Sequence, residues 1–209
     1  MKQLLDKTRN RFRMNRSMFL FLLVLIIIGV VAGSVFILMI SKEDQGMVKE
    51  YLDTFLFNIR DHKLHYLQAF QGSFLGNLLF VLGIWLLGIS AIGLPVMVFM
   101  FFTKAFTLGF AISSMIMNYK LKGCLLAFIY VFPHHVMNLL LYSFLMAYAL
   151  SFSIRLIGSL VQKKSLDFKV MMNKYLMVLG ICVGGVFISS LMEVFLVPFL
   201  LQKVLGVVL

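Results

Sequence analysis

Residues 17–40 read SMFLFLLVLIIIGVVAGSVFILMI, an uncharged run of 24 residues that decides the class of this protein. A helix needs about 20 apolar residues to cross the hydrocarbon core of a bilayer. A cleaved signal peptide has an apolar core of only about 7–15 residues, which is shorter than this run. We therefore predict that residues 17–40 form an uncleaved first transmembrane helix.

The composition of the whole chain agrees with this class. Of its 209 residues, 62% are hydrophobic, and the mean hydropathy is +1.01. Soluble domains contain about 45–50% apolar residues. The composition predicts an all-α integral membrane protein that forms one helical domain.

Further apolar runs predict that residues 74–209 complete the membrane bundle. The predicted spans cover about 78–102, 103–119, 124–152 and 175–201. The third run is short, and it crosses the membrane only if Lys104 extends its ammonium group toward the lipid head groups. A re-entrant segment is the alternative for this run.

Two clusters of basic residues predict the orientation. Residues 1–16 contain six lysines and arginines, and five more lie between Arg155 and Lys174. Basic residues accumulate on the cytoplasmic side of membrane proteins. Five spans place both clusters in the cytoplasm, with a cytoplasmic N-terminus and an extracytoplasmic C-terminus. The basic residues behind the net charge of +11 then set the topology and contact the head groups of anionic membrane lipids. We therefore predict no nucleic-acid partner.

Residues 41–73 form a mixed-charge segment outside the membrane. Val48, Tyr51, Leu52, Phe55 and Ile59 recur at three- and four-residue spacing, which is typical of an amphipathic helix. Such a helix either binds a partner, with Tyr51, Phe55 and Ile59 as the candidate surface, or covers the end of its own bundle.

One polar cluster is predicted inside the membrane. Glu193 is the acidic residue within an apolar run, and it lies on the order of 12 Å from the outer end of its span. His134 and His135 lie at a similar depth, about 15 Å from the outer end of theirs. With Asn138, these residues form either a mutually satisfied structural cluster or a proton-sensitive functional site.

Small residues at four-residue spacing predict close helix packing. Gly29 and Gly33 form one such pair in the first span, and Gly180 and Gly184 form another in the last span. The second span contains residues that indicate a bent or closely packed helix: Gly83, Gly88, Gly93 and Pro95. We predict no catalytic residues, no cofactor and no metal site, because no phosphate loop, zinc pattern or dinucleotide fingerprint occurs.

The stretch from Trp85 to Pro95, continuing through Phe102 to Lys104 and Leu108-Gly109-Phe110, closely resembles the stage II sporulation protein M family. Phe132-Pro133-His134-His135 resembles a proline-centred polar motif of that family, and Glu193 with Pro198 resembles a feature of its last span. The second histidine and Asn138 stand where wider relatives often carry glycine and an acidic residue. The resemblance covers nearly the whole chain.

The resemblance implies a function in the engulfment step of endospore formation. It implies a non-enzymatic scaffold in the mother-cell membrane at the septum, which recruits and holds two cell-wall hydrolases, stage II sporulation proteins D and P. A homo-oligomer is compatible with the sequence. The alternative function is a small transporter or channel built around Glu193, His134 and His135.

Overall fold

The computed structural model describes residues 16–61, 63, 65–90, 92–162 and 167–208. Within these residues the regular structure is entirely helical, and five helices are long and apolar enough to cross a membrane. The predicted all-α membrane class with about five spans is confirmed. Residues 1–15, which hold most of the basic N-terminal segment, and Lys163 and Lys164 lie outside the described residues.

Seven α-helices and one π-helical turn make up the described chain. In order they are α1 (Arg16–Met39), α2 (Lys42–Arg60), α3 (Tyr66–Gly88), α4 (Gly93–Val131), α5 (His135–Gln162), α6 (Phe168–Leu191), the π-helix (Met192–Leu196) and α7 (Val197–Val208). The last three follow one another without a break and form one long span, Phe168–Val204.

Helix α1 packs most extensively against α4, and glycines on both helices allow their backbones to approach. A Cβ atom on Gly33 would overlap the carbonyl oxygen of Phe106, and one on Gly109 would overlap the carbonyl oxygen of Val30. Ser34 Oγ donates a hydrogen bond of 3.3 Å to the carbonyl oxygen of Gly109. This contact is the small-residue packing that membrane helices use in place of hydrophobic burial.

Helix α4 reverses its direction at Lys120, where the backbone adopts φ 53°. After the reversal, Gly123 lies directly against the backbone of Met115 and Ile116. The part of α4 after Lys120 therefore runs back along the part before it. With α5, it forms the fourth span, which is interrupted around Pro133.

The bounds of the second and third spans differ from the prediction. The sequence suggested a boundary near residues 102–103, but α3 ends at Gly88 and α4 begins at Gly93. Pro95 lies in the first turn of α4. Backbone N–H groups in the first turn have no acceptor within the helix, so a proline there costs no hydrogen bond. Gly93 fits against the backbone of Leu87, which permits the tight connection. The third span is therefore longer than the predicted 103–119.

Other predicted bounds shift as well. The outer segment predicted over 41–73 is shorter, because α3 already begins at Tyr66. Ser41 caps α2, with its Oγ accepting a hydrogen bond from the backbone N–H of Asp44 at 3.1 Å. The fourth and fifth spans extend beyond the predicted 124–152 and 175–201, because their charged ends continue the same helices.

The two ends of the bundle have different characters. At the basic end, Ser153 Oγ donates to the carbonyl oxygen of Ser90 at 2.9 Å, close to Arg155. At the opposite end, which we call the capped end, α2 lies on the bundle. There Gln202 Nε2 donates to the carbonyl oxygen of Ile59 at 2.8 Å, and Tyr119 donates to Asp53 at 2.6 Å.

Candidate functional site

Glu193 lies on the π-helical turn of the last span. Pro198 has no N–H group, and in an α-helix its ring would crowd the carbonyl of Val194, so the wider turn accommodates it. The backbone N–H of Val197 instead donates to the carbonyl oxygen of Met192, five residues earlier. Such turns often occur at functional sites.

A line of polar side chains runs from Glu193 across the interior of the bundle. Ser73 Oγ donates to Glu193 Oε2 at 2.5 Å and lies 3.2 Å from Ser190 Oγ. Asn77 Nδ2 lies 3.5 Å from Ser73 Oγ, and Tyr142 donates to Asn77 Oδ1 at 2.7 Å. Helix α3 therefore supplies the polar groups that connect the fourth and fifth spans, and the sequence prediction missed Ser73, Asn77 and Tyr142.

His134 and Glu193 are neighbours, as the sequence predicted from their similar depths. Nε2 of His134 lies 3.8 Å from Oε2 of Glu193, which is too long for a hydrogen bond. The His134 side chain is fully buried, and its ring centroid lies 4.1 Å from that of His135. Ser189 Oγ donates to the carbonyl oxygen of His134 at 3.2 Å, which connects α6 to the start of α5.

Asn138 completes the predicted cluster one turn into α5. Its backbone N–H donates to the carbonyl oxygen of His134 at 2.8 Å. Its side chain is 4% exposed, and among the described residues its Oδ1 atom has no hydrogen-bond partner. The same holds for both ring nitrogens of His134. The structure thus brings the four residues together without satisfying all their polar atoms.

Lys104 belongs to this site, although the sequence predicted that its ammonium would reach the head groups. Its Nζ lies 4.9 Å from the ring centroid of Phe80 and 5.9 Å from that of Tyr142. Cation–π contacts of this kind stabilise an ammonium away from water. A charged residue within an apolar run was the signal that pointed to this position.

These side chains surround a cavity of about 600 Å³. Charged and polar groups of α3, α4, α5 and the π-helix line it: Ser73, Asn77, Lys104, His135, Asn138, Tyr142 and Glu193. Gly72, Gly76 and Tyr51 form its rim, where the surface is exposed. The arrangement is suited to holding a charged or polar group inside the membrane.

The profile of the family described as stage II sporulation protein M matches residues 18–198. The chain belongs to this family. No curated protein and no solved structure matches it.

The matched region of this stage II sporulation protein M family member ends at Pro198, so it contains every residue of the polar cluster. It also contains the connection between α3 and α4 and the reversal at Lys120. The cavity therefore lies within the part of the chain that defines the family.

The predicted packing glycines of this family member divide into two groups. Gly29, Gly33, Gly83, Gly88 and Gly93 lie in close contact with other parts of the bundle. Gly180 and Gly184 instead face open space, where a Cβ atom would meet nothing within 4 Å. Gly109, Gly123 and Gly185 make close contacts that the sequence prediction missed.

The three residues of the candidate partner surface on α2 differ in how far they are exposed. Tyr51 is 73% exposed, Phe55 packs edge-on against Tyr130, and Ile59 is fully buried against its own bundle. Leu52, Leu56 and Ile59 pack with residues such as Met115 and Leu201. Ile59 is thus removed from the candidate surface, because the periodic face of α2 covers the capped end.

Proposed function

We propose that this protein is a non-enzymatic membrane scaffold that recruits and holds cell-wall hydrolases at the sporulation septum. Membership of the stage II sporulation protein M family identifies a sporulation-related, multi-pass membrane protein. The proposal adds its partners, stage II sporulation proteins D and P, and its location in the engulfing membrane of the mother cell.

The observation that supports a scaffold best is the outer face of α2. The buried face of this helix anchors it to the bundle, so the opposite face is held in a defined position. That opposite face is exposed and carries Glu50 and Phe57. Residues 42–61 contain five acidic and three basic residues, in contrast to the strongly basic chain as a whole.

The orientation predicted from the basic residues supports this proposal, because it puts the outer face of α2 on the side where the proposed partners act. Arg155 and Lys169 lie at the basic end, which the positive-inside rule assigns to the cytoplasm. The capped end then faces the compartment that contains peptidoglycan. A rigid, acidic and partly aromatic helix on that side is a suitable docking surface for a protein partner.

The test is a double substitution, Glu50→Lys with Phe57→Ser, on this outer face. We expect the protein to remain in the membrane while fluorescently labelled hydrolases disperse from the septum, because an aromatic anchor and a charge are lost together. The control is Ile92→Ser, which changes a residue that is 82% exposed at the basic end. If the amount of labelled hydrolase at the septum were the same in the double variant as in the control, the proposal would be contradicted.

The cavity supports the second candidate, a small transporter or channel around Glu193, His134 and His135. A polar cavity at membrane depth is a feature of such proteins. Toward the basic end, however, the bundle is filled by buried residues such as Phe101, Leu145 and Met146. Flux of protons or small ions through reconstituted vesicles, abolished by Glu193→Gln, would favour this candidate over the scaffold.

A further inference from the structure

We propose that the cavity binds the head group of a zwitterionic aminophospholipid, with the lipid ammonium at Glu193 and the lipid phosphate at Lys104. The two protein charges lie on different walls of the cavity, on the π-helix and on α4. Within the described residues they do not pair directly. The Lys104 ammonium lies over two aromatic rings, and the Glu193 carboxylate accepts a hydrogen bond from Ser73.

This separation of charges selects a ligand that carries both signs. A charge inside the membrane is costly unless it is paired. An anionic head group would satisfy Lys104 but would bring negative charge toward Glu193. A primary ammonium and a phosphate on one head group match both walls, and the ammonium donates the charge-assisted hydrogen bonds that a carboxylate accepts.

Unsatisfied polar atoms provide independent support for a ligand. Asn138 lines the cavity, is 4% exposed and has no partner for Oδ1 among the described residues. Buried polar atoms in native proteins normally have a partner, so the Asn138 amide is a polar group whose hydrogen-bonding capacity the described protein atoms leave partly unused. Tyr142 and Asn77 offer further polar atoms on the same wall.

An apolar groove next to the cavity suits the lipid chain. It measures about 400 Å³ and is lined by apolar residues of α2 and α4, among them Met47, Val48, Leu52 and Phe110. Tyr51, Ala111 and Tyr130 border both the groove and the cavity. A polar cavity that adjoins an apolar groove is complementary to one amphiphilic molecule.

The rim of the cavity provides access from the membrane. Gly72 and Gly76 lie on the exposed face of α3, and a Cβ atom on either glycine would meet nothing within 4 Å. A larger side chain at Gly76 therefore fits the fold and projects into the entrance. Gly180 on α6 is equally open but does not line the cavity, so it is the matched control.

The test is lipid binding to the purified full-length protein in detergent, measured by native mass spectrometry. Phosphatidylethanolamine, phosphatidylcholine and phosphatidylglycerol with identical acyl chains are compared. We expect phosphatidylethanolamine to bind with an affinity at least about tenfold higher than the other two, which corresponds to about 1.4 kcal/mol. Gly76→Leu should remove this preference, whereas Gly180→Leu should keep it.

Charge variants test the polar contacts. Lys104→Met should lower phosphatidylethanolamine affinity by at least about tenfold. Lys203→Met, which removes an exposed ammonium from above the ring of Phe199, should leave the affinity unchanged. Equal binding of all three lipids, or full binding by Gly76→Leu, would overturn the proposal. So would binding of free phosphoethanolamine without binding of the lipid. None of these outcomes depends on hydrolase recruitment.

Discussion

Ser73 Oγ donates a hydrogen bond of 2.5 Å to Glu193 Oε2, and it joins two helices that are 120 residues apart in the sequence. Glu193 is thus held by α3 rather than by the histidines alone. A carboxylate within a membrane span is costly, so the partners of Glu193 decide whether it is tolerated there.

Loss of the Ser73 hydroxyl should destabilise the bundle. We expect Ser73→Ala to lower the free energy of unfolding in mixed micelles by about 1–3 kcal/mol, because the partly buried carboxylate loses its donor. Ser143→Ala is the control, since Ser143 Oγ donates only to the carbonyl of Leu139 in its own helix. It should change stability by no more than about 0.5 kcal/mol. Equal effects of the two changes would show that the Ser73 contact is not structural.

Substitutions of Glu193 separate a structural role from a proton-coupled one. Glu193→Gln should keep normal protein level and hydrolase recruitment, because an amide oxygen still accepts from Ser73. Glu193→Leu should lower the amount of protein in the membrane, because Ser73 loses its shorter hydrogen bond and keeps the longer one to Ser190. Immunoblots of membrane fractions and septal localisation of the hydrolases measure both effects. An abundant, correctly localised Glu193→Gln protein that no longer supports engulfment would contradict the scaffold.

The two glycine pairs should respond in opposite ways. Gly33→Ala places a methyl group against the backbone of Phe106, so we expect destabilisation of about 1–3 kcal/mol. Gly184→Ala should be neutral or stabilising by up to about 1 kcal/mol, because it meets open space and alanine favours the helix. Unfolding in mixed micelles measures the difference. If Gly184→Ala were the more harmful change, α6 would have to pack on a second copy of the chain or on a partner.

The orientation can be tested with reporter fusions. Alkaline phosphatase fused after Lys49 should be active, because the predicted orientation puts α2, at the capped end, outside the cell. A fusion after Lys164 should be inactive, because the predicted orientation puts the second basic cluster in the cytoplasm. β-Galactosidase fusions at the same positions are the control and should give the reverse pattern. If the fusions at both positions reported the same side of the membrane, the five-span topology would be excluded.

Several features of the candidate site were predictable and others were not. The depth of Glu193, His134 and His135 followed from helical rise and span ends, and the structure places Glu193 and His134 side by side. Ser73, Asn77 and Tyr142 had no sequence signal, since a serine, an asparagine or a tyrosine in a membrane helix also occurs at lipid-facing or self-bonded positions. Lys104 was marked in the sequence as a charge within an apolar run. The direction of its side chain, however, depends on the rings of Phe80 and Tyr142, which other helices contribute.

The sequence by itself determined the membrane class, the span count and the segments that leave water, because transfer from water to lipid depends on the local density of apolar groups. The tertiary structure decided which face of each helix is buried. Gly33 and Gly184 have equivalent sequence contexts, yet only the first meets another backbone. It also turned Lys104 inward and buried Ile59. Such choices depend on packing between residues far apart in the chain, where neighbouring helices rather than lipid supply the contacts.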